Sequence, residues 1–164
     1  MRKLTFIDTE IEPNSKSIID IGSIHDDGTL FHSPSIKDFT AFLKESEFIC
    51  GHNIINHDLK YLTAIFQKRD SSNNNIIDTL YLSPLLFPEK PYHALLKDDK
   101  LQTDEVNNPL NDAIKAKDLF NDELAAFHQL EAPLKAIYYL LLGQKKEFNS
   151  FFKWINYNTN EKET

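Results

Sequence analysis

Cysteine is nearly absent from this chain: Cys50 is the only one in 164 residues. A single thiol excludes an intrachain disulfide and a cysteine-built zinc cluster, and it makes a reducing, cytoplasmic setting the expectation. Long apolar runs are missing too. No stretch approaches the roughly 20 residues that span a bilayer, so no membrane partner is expected. The opening residues, Met1-Arg2-Lys3-Leu4-Thr5-Phe6-Ile7-Asp8, meet an acid too soon for a secretory signal. Basic charge is in deficit: 18 Lys and Arg against 25 Asp and Glu leave a net charge of −7. That argues against a broad basic face for duplex nucleic acid. It leaves room for a site in which gathered carboxylates are neutralised locally by metal ions. No internal repeat is present.

What the chain does have is a normal globular mix, 41% hydrophobic and 26% charged, in a length that suits one domain. Its first third reads as strands. Lys3–Ile11 alternates in part, Ser17–His25 carries Ile18, Ile19, Ile21 and Ile24 around Gly22, and Asp26-Asp27-Gly28-Thr29 is a hairpin turn signal before a third strand starting at Leu30. The pattern then alternates. Ser35 opens a helix through Leu43, Phe48–Gly51 is a short buried strand, and Leu59, Leu62, Ile65 and Phe66 recur at helical spacing. A polar loop at 71–75 precedes a last short strand, Ile76–Thr79, after which the chain reads as helical over Pro109–Leu130 and Pro133–Leu142, with Gly143 as a stop. Phe148–Ile155 reads as a final covering helix. The expected architecture is α/β: a mixed five-stranded sheet, antiparallel in its first three strands, flanked by helices. The expected domain runs from 1 to 155, with 156–164 a polar tail or the start of a linker.

Four short segments carry candidate chemistry. Asp8 and Glu10 are two apart on a strand, so both carboxylates share one face, where they repel unless a cation sits between them. Gly51-His52-Asn53 leads through a polar loop to Asp58 at a helix start, where the ordinary role of Asp58 would be a cap. Asp112-Ala113 lies early in another helix, where a lone Asp is usually a solvated acid. Asn107 stands five residues before Asp112.

Taken in order, these segments resemble the DEDD exonuclease superfamily, the group of polymerase proofreading domains and ribonuclease T. Its Asp-x-Glu is matched by Asp8 and Glu10, its Gly-His-Asn loop and following Asp by Gly51, His52, Asn53 and Asp58, and its Asp-Ala pair by Asp112 and Ala113. The likeness spans roughly residues 3 to 130 and implies a ribonuclease H-like fold. It also implies a 3′→5′ exonuclease that hydrolyses phosphodiester bonds at single-stranded DNA or RNA 3′ ends with two Mg²⁺ or Mn²⁺ ions. By the resemblance, Asp8 would bridge both ions, Glu10 would hold one and place the attacking water, Asp112 would complete the tighter site, and Asp58 would act through metal-bound water. Thr9 would offer its backbone near the terminal nucleotide, while His52 and Asn53 would orient the second loop.

The pattern departs from the family where its members carry a water-activating His or Tyr. Those positions are Asn107 and Asn108 here, and neither side chain accepts a proton near neutral pH. A general base contributes about 10²–10⁴-fold. Asn107 would then orient the water, or another imidazole (His93, expected at a helix start, or His57) would substitute. The other reading is a catalytically weak or inactive module that binds nucleic acid or a protein partner, as one domain of a larger helicase or polymerase. His25, His32 and His128 have no motif context and are expected to be surface or packing residues.

Overall fold

A computed structural model describes residues 2–95 and 108–158. Three strands open the chain: β1 (Leu4–Ile11), β2 (Ile18–His25) and β3 (Leu30–His32). They form the expected antiparallel meander, β1 with β2 and β2 with β3. Its second turn closes as the sequence predicts. Gly28 takes the left-handed φ of 92°, which its lack of a Cβ permits. Thr29 N–H donates to Asp27 Oδ1.

Two further strands, β4 (Phe48–Gly51) and β5 (Asn75–Asp78), join in parallel, each after a crossover. The order across the sheet is β3-β2-β1-β4-β5, which makes β1 the central strand. The crossovers are α1 (Ile36–Phe42) and α2 (Asp58–Gln67), and after β5 come α3 (Thr79–Leu86), α4 (Pro109–Gln129), α5 (Ala132–Leu142) and α6 (Asn149–Trp154). Ser35 caps α1 as expected, its hydroxyl accepting from Asp38 N–H.

Period-two alternation along β1 divides the core in two. Leu4 and Phe6 point to the face covered by α4 and α6, where they join Cys50, Ile77, Ala113, Ala116, Phe120 and Phe151. Ile7 points to the opposite face, with Ile21, Ile49, Phe39, Leu43, Leu62 and Ile65 beneath α1 and α2. Both faces of the central strand are therefore buried, which is why Phe6 and Ile7 are apolar in succession and the alternation is only partial.

Several local features depart from the sequence reading. Thr79 begins a helix instead of ending the last strand. Asp78 accepts from Leu80 N–H as its N-cap, and Pro84 lies inside α3. The stretch around His93 is not helical, and its Nδ1 lies 2.8 Å from Ser83 Oγ. Ser71–Asn73 of the polar loop makes one 3₁₀ turn. Gly143 does follow α5, but with φ −60° rather than in the left-handed region. Its need for glycine is spatial: a Cβ there would stand 2.6 Å from the Tyr139 carbonyl.

Candidate active site at the end of the central strand

Asp8 and Glu10 continue the Leu4–Phe6 row, so they face α4. Both are partly buried near the end of β1, and a β-bulge follows directly between Glu10 and Ile11. Across the β1–β2 ladder Asp8 pairs with Gly22 and Glu10 with Asp20. Gly22 is the pivot of the arrangement. A Cβ on it would come within 2.0 Å of Leu110 N and 2.1 Å of the Pro109 carbonyl carbon. The first turn of α4 therefore rests directly on the sheet beside Asp8, as only a glycine beneath it allows. Asp112 sits in that turn, flanking the buried stripe Pro109, Ala113, Ala116, Phe120. Three of the four predicted carboxylates thus belong to one face of the sheet and the helix that overlies it.

The start of α4 is built locally. Asn108 Oδ1 accepts from Leu110 N–H, Pro109 occupies the position that has no intrahelical use for an N–H, and Asp112 supplies negative charge to the first turn. Asn108, one of the two positions at which the sequence resemblance leads one to look for a base, is thereby a helix cap. Asn107 lies outside the described residues.

Asp58 stands on the other side of the strand. It is 1% exposed, and its Oδ1 accepts from both Thr9 N–H, at 2.9 Å, and Thr9 Oγ1, at 2.6 Å. Thr9, at 4% exposure, belongs to the Thr5–Ile7 row that faces α2. Its amide and hydroxyl donors are thus both given to Asp58. The second carboxylate oxygen, Oδ2, lies 3.7 Å from His57 Nδ1. The Asp58 carboxylate raises the His57 pKa above its ordinary value, with Glu10 adding to the effect and partial burial opposing it. His57 therefore sits within electrostatic reach of both Asp58 and Glu10, and its ring lies 5.6 Å from that of Tyr61.

The loop joining β4 to α2 is held from below. Asn53 has a left-handed φ of 62°, which Asn tolerates better than most residues. Its N–H donates to Asp78 Oδ1, and Ile55 N–H donates to Asp78 Oδ2. Asp78 is wholly buried, and burial raises its pKa although Ile55, Leu80 and Asn53 donate to it. His52 Nδ1 lies 2.8 Å from Thr79 Oγ1, while Nε2 is buried without a hydrogen-bond partner among the described residues. Burial lowers the His52 pKa, so the ring stays neutral at physiological pH. Asp78 and Gly22 are the two site-building residues that motif reading passes over. The N-cap pattern of an Asp ending a strand was a usable signal for the first. Nothing local marks the second.

The donor set suits a hard divalent cation, because every candidate ligand is a carboxylate oxygen. The side chains do not converge as they stand: among the described residues no group of three or more His, Cys, Asp or Glu is placed to hold a metal ion.

No family model matches the chain. In an alignment over 90 residues that covers 51% of the chain, it is 33% identical to DNA polymerase III PolC-type from Bacillus cereus, of which it spans 6%. In three dimensions the chain is similar to the family B DNA polymerase of the hyperthermophilic archaeon Pyrobaculum calidifontis. The TM-score is 0.53 at 14% identity, over 99% of this chain and 31% of that one. It is similar also to Brucella melitensis NrnC, with a TM-score of 0.54 at 14% identity, over 98% of this chain and 90% of that one. The chain thus spans a small part of either polymerase and nearly all of NrnC. The sheet order, the helices and these likenesses define an α/β fold of the ribonuclease H-like class.

Proposed function

We propose that this protein is a divalent-cation-dependent 3′→5′ exonuclease acting on single-stranded DNA or RNA ends. The observation that carries the reading is the seating of α4 on Gly22, which brings the turn bearing Asp112 over the strand end bearing Asp8 and Glu10. One sheet face and the helix turn above it thereby supply three carboxylates, the donor type that a hard divalent cation takes. The order of these residues along the chain matches the superfamily motifs. The stretch similar to a DNA polymerase, and the fold shared with another, support nucleic acid as the substrate.

Asp8, Glu10 and Asp112 would hold Mg²⁺ or Mn²⁺, which when bound would neutralise phosphate charge and lower the pKa of water. The chain's own residues do the positioning. Asp58 fixes the backbone between Asp8 and Glu10 through Thr9, and Asp78 fixes the loop that delivers Asp58. Residues 1–155 would form the nuclease domain. Tyr157 still packs against Phe127, Tyr139 and Phe152, so it is the polar sequence after it that would suit a linker to a polymerase or helicase.

A second reading, a module that binds nucleic acid with feeble or no turnover, draws on one observation. The described member of the Asn107–Asn108 pair is committed to capping α4, so it offers no base. The test separates the two. Oligonucleotides labelled at the 3′ or the 5′ end, as DNA and as RNA, are incubated with Mg²⁺ or Mn²⁺ and with the wild type or Asp8→Ala. Mononucleotide release from the 3′ end, lost in a folded Asp8→Ala, supports the enzyme. Binding without release by either protein supports the module. Release at the wild-type rate by Asp8→Ala overturns the assignment of this site.

A further inference from the structure

Among the described α-helices, α5 is the least buried. None of its 11 residues is fully buried. Its inner side packs through Tyr138, Tyr139 and Leu142 against the α4–α6 core, with Tyr138 Oη donating to the Leu85 carbonyl. Its outer side is apolar. Leu134 is 36% exposed, Ile137 49%, Leu140 72% and Leu141 66%, half of the large hydrophobic residues exposed among those described. Leu134, Ile137 and Leu141 follow the three-then-four spacing of a helix-packing seam, with Leu140 beside it. The area these side chains expose is on the order of 400 Å², as large as the largest apolar patch on an ordinary monomer.

We propose that α5 is a homodimer interface, in which two copies of this chain pair their α5 helices antiparallel about a two-fold axis. Three observations select a second copy as the occupant. The first is self-complementarity. An antiparallel crossing centred on Ile137 sets Leu134 against the partner's Leu141 and Ile137 against the partner's Ile137, as an isologous contact requires. The second is charge. Exposed Glu131 stands just before α5, and exposed Lys145 and Lys146 stand just after it. The antiparallel arrangement places each acid beside the partner's two lysines and opposes the helix dipoles. A parallel one would set like charges together. The third is size. The apolar seam supplies about half of the ~800 Å² per partner that a standard interface buries, an apolar centre that exposed Glu131, Lys145 and Lys146 would rim. Lys135, the one charged residue within α5, does not interrupt the seam. Its Nζ donates to the His128 carbonyl and lies over the Phe127 ring, turned back onto its own chain. An aliphatic stripe offers nothing to a phosphate backbone, so nucleic acid is not its partner.

The test is sedimentation velocity on the full chain over about 1–300 µM at physiological salt, with thermal melting by circular dichroism in parallel. The wild type should pass from monomer to dimer with a dissociation constant on the order of 10 µM. Ile137→Asp should remain monomeric throughout and melt within a few degrees of the wild type. Surface charge reversals disturb the fold least, and they test the pairing mode independently. Glu131→Lys should weaken the dimer roughly tenfold, and adding Lys145→Glu and Lys146→Glu should restore it to about the wild-type value. A wild type that stays monomeric at the highest concentration overturns the proposal, including the case in which a different protein or another part of a longer chain covers α5. A dimer that survives Ile137→Asp overturns it as well. Failure of the triple reversal to restore association overturns the antiparallel pairing.

Discussion

Glu123 is an acid in a place that does not suit its charge. It lies on the sheet-facing stripe of α4, fully buried, and neither of its carboxylate oxygens has a hydrogen-bond partner among the described residues. Burial, with the nearby Asp78 carboxylate adding to it, pushes its pKa up to about 9. The folded protein thus holds a proton between about pH 4.5 and 9 that the unfolded chain releases. Stability from this group is complete below the lower value and is lost as pH rises toward the upper one, a change on the order of a few kcal/mol. Glu123→Gln keeps the shape and cannot ionise. It should melt higher than the wild type at pH 8, and the gap should close toward pH 5. Melting curves for both proteins across that range check this, and a gap that did not vary with pH would show that Glu123 is not the titrating group. Thr9 offers a second residue-scale test. Thr9→Val removes the hydroxyl donated to buried Asp58 while keeping the amide bond. It should cost about 1–3 kcal/mol in urea denaturation and lower nuclease turnover, because the Asp8–Glu10 backbone is less firmly held. Turnover equal to wild type would mean that the bond serves stability alone.

At the scale of elements, Gly22 and α4 depend on each other. Gly22→Ala drives a methyl group into the Pro109–Leu110 backbone, and that backbone has no flexible end to yield. The helix must lift, which should cost about 1–3 kcal/mol and displace Asp112 from Asp8. Activity should fall much further than stability. Denaturant midpoints and rates measured on the same preparations decide this, and an Ala variant with full activity would show that α4 is not seated as described. The elements also show where the sequence could be read and where it could not. All five strands were legible, because apolar runs bounded by turn residues survive any packing. Helix α3 is not legible: Pro84 falls within it, and Asp78-Thr79 reads as the end of a strand although Asp78 is the helix cap. The side of β1 on which Asp58 stands was equally illegible. The helix start was clear, but its bond to Thr9 joins residues 49 apart in sequence and depends on how α2 lies against the sheet. His25 was expected to be a surface or packing residue and proves to be the latter. It is 3% exposed, stacked 3.8 Å from the Phe42 ring, with Nδ1 2.6 Å from Thr5 Oγ1.

For the molecule as a whole, the acidic balance matters most. The net charge of −7 includes Asp8 and Glu10 near the end of β1 and Asp112 in the first turn of the helix over it. Ions that bind only the folded state raise its stability by mass action, by about 2.7 kcal/mol at a hundredfold excess over the dissociation constant. Melting temperature should therefore rise with millimolar Mn²⁺ or Mg²⁺ and stay level with K⁺ at equal ionic strength. Asp8→Ala should flatten the response. An unchanged melting temperature in Mn²⁺ would argue strongly against a cation site in this protein. No helix among the described residues is long and apolar enough to cross a membrane, in keeping with the absence of long apolar runs.

The central position of β1 also sets the order in which the chain is assembled. On one side β1 meets β2 through a short turn, and on the other it meets β4 only after β2, β3 and α1 have been passed. Closing a long loop costs more entropy than closing a short one, so the meander from Leu4 to His32 should form before the parallel strands dock. Asp8 and Glu10 would then already be aligned in an early intermediate, while Asp58 and Asp112 arrive with the later helices. Pulse-labelling hydrogen exchange during refolding can follow this one amide at a time. The Ile21 amide, bonded to the Ser33 carbonyl, should be protected first. The Thr9 amide should become protected only when α2 brings Asp58 into place, although the two residues face each other across the same ladder.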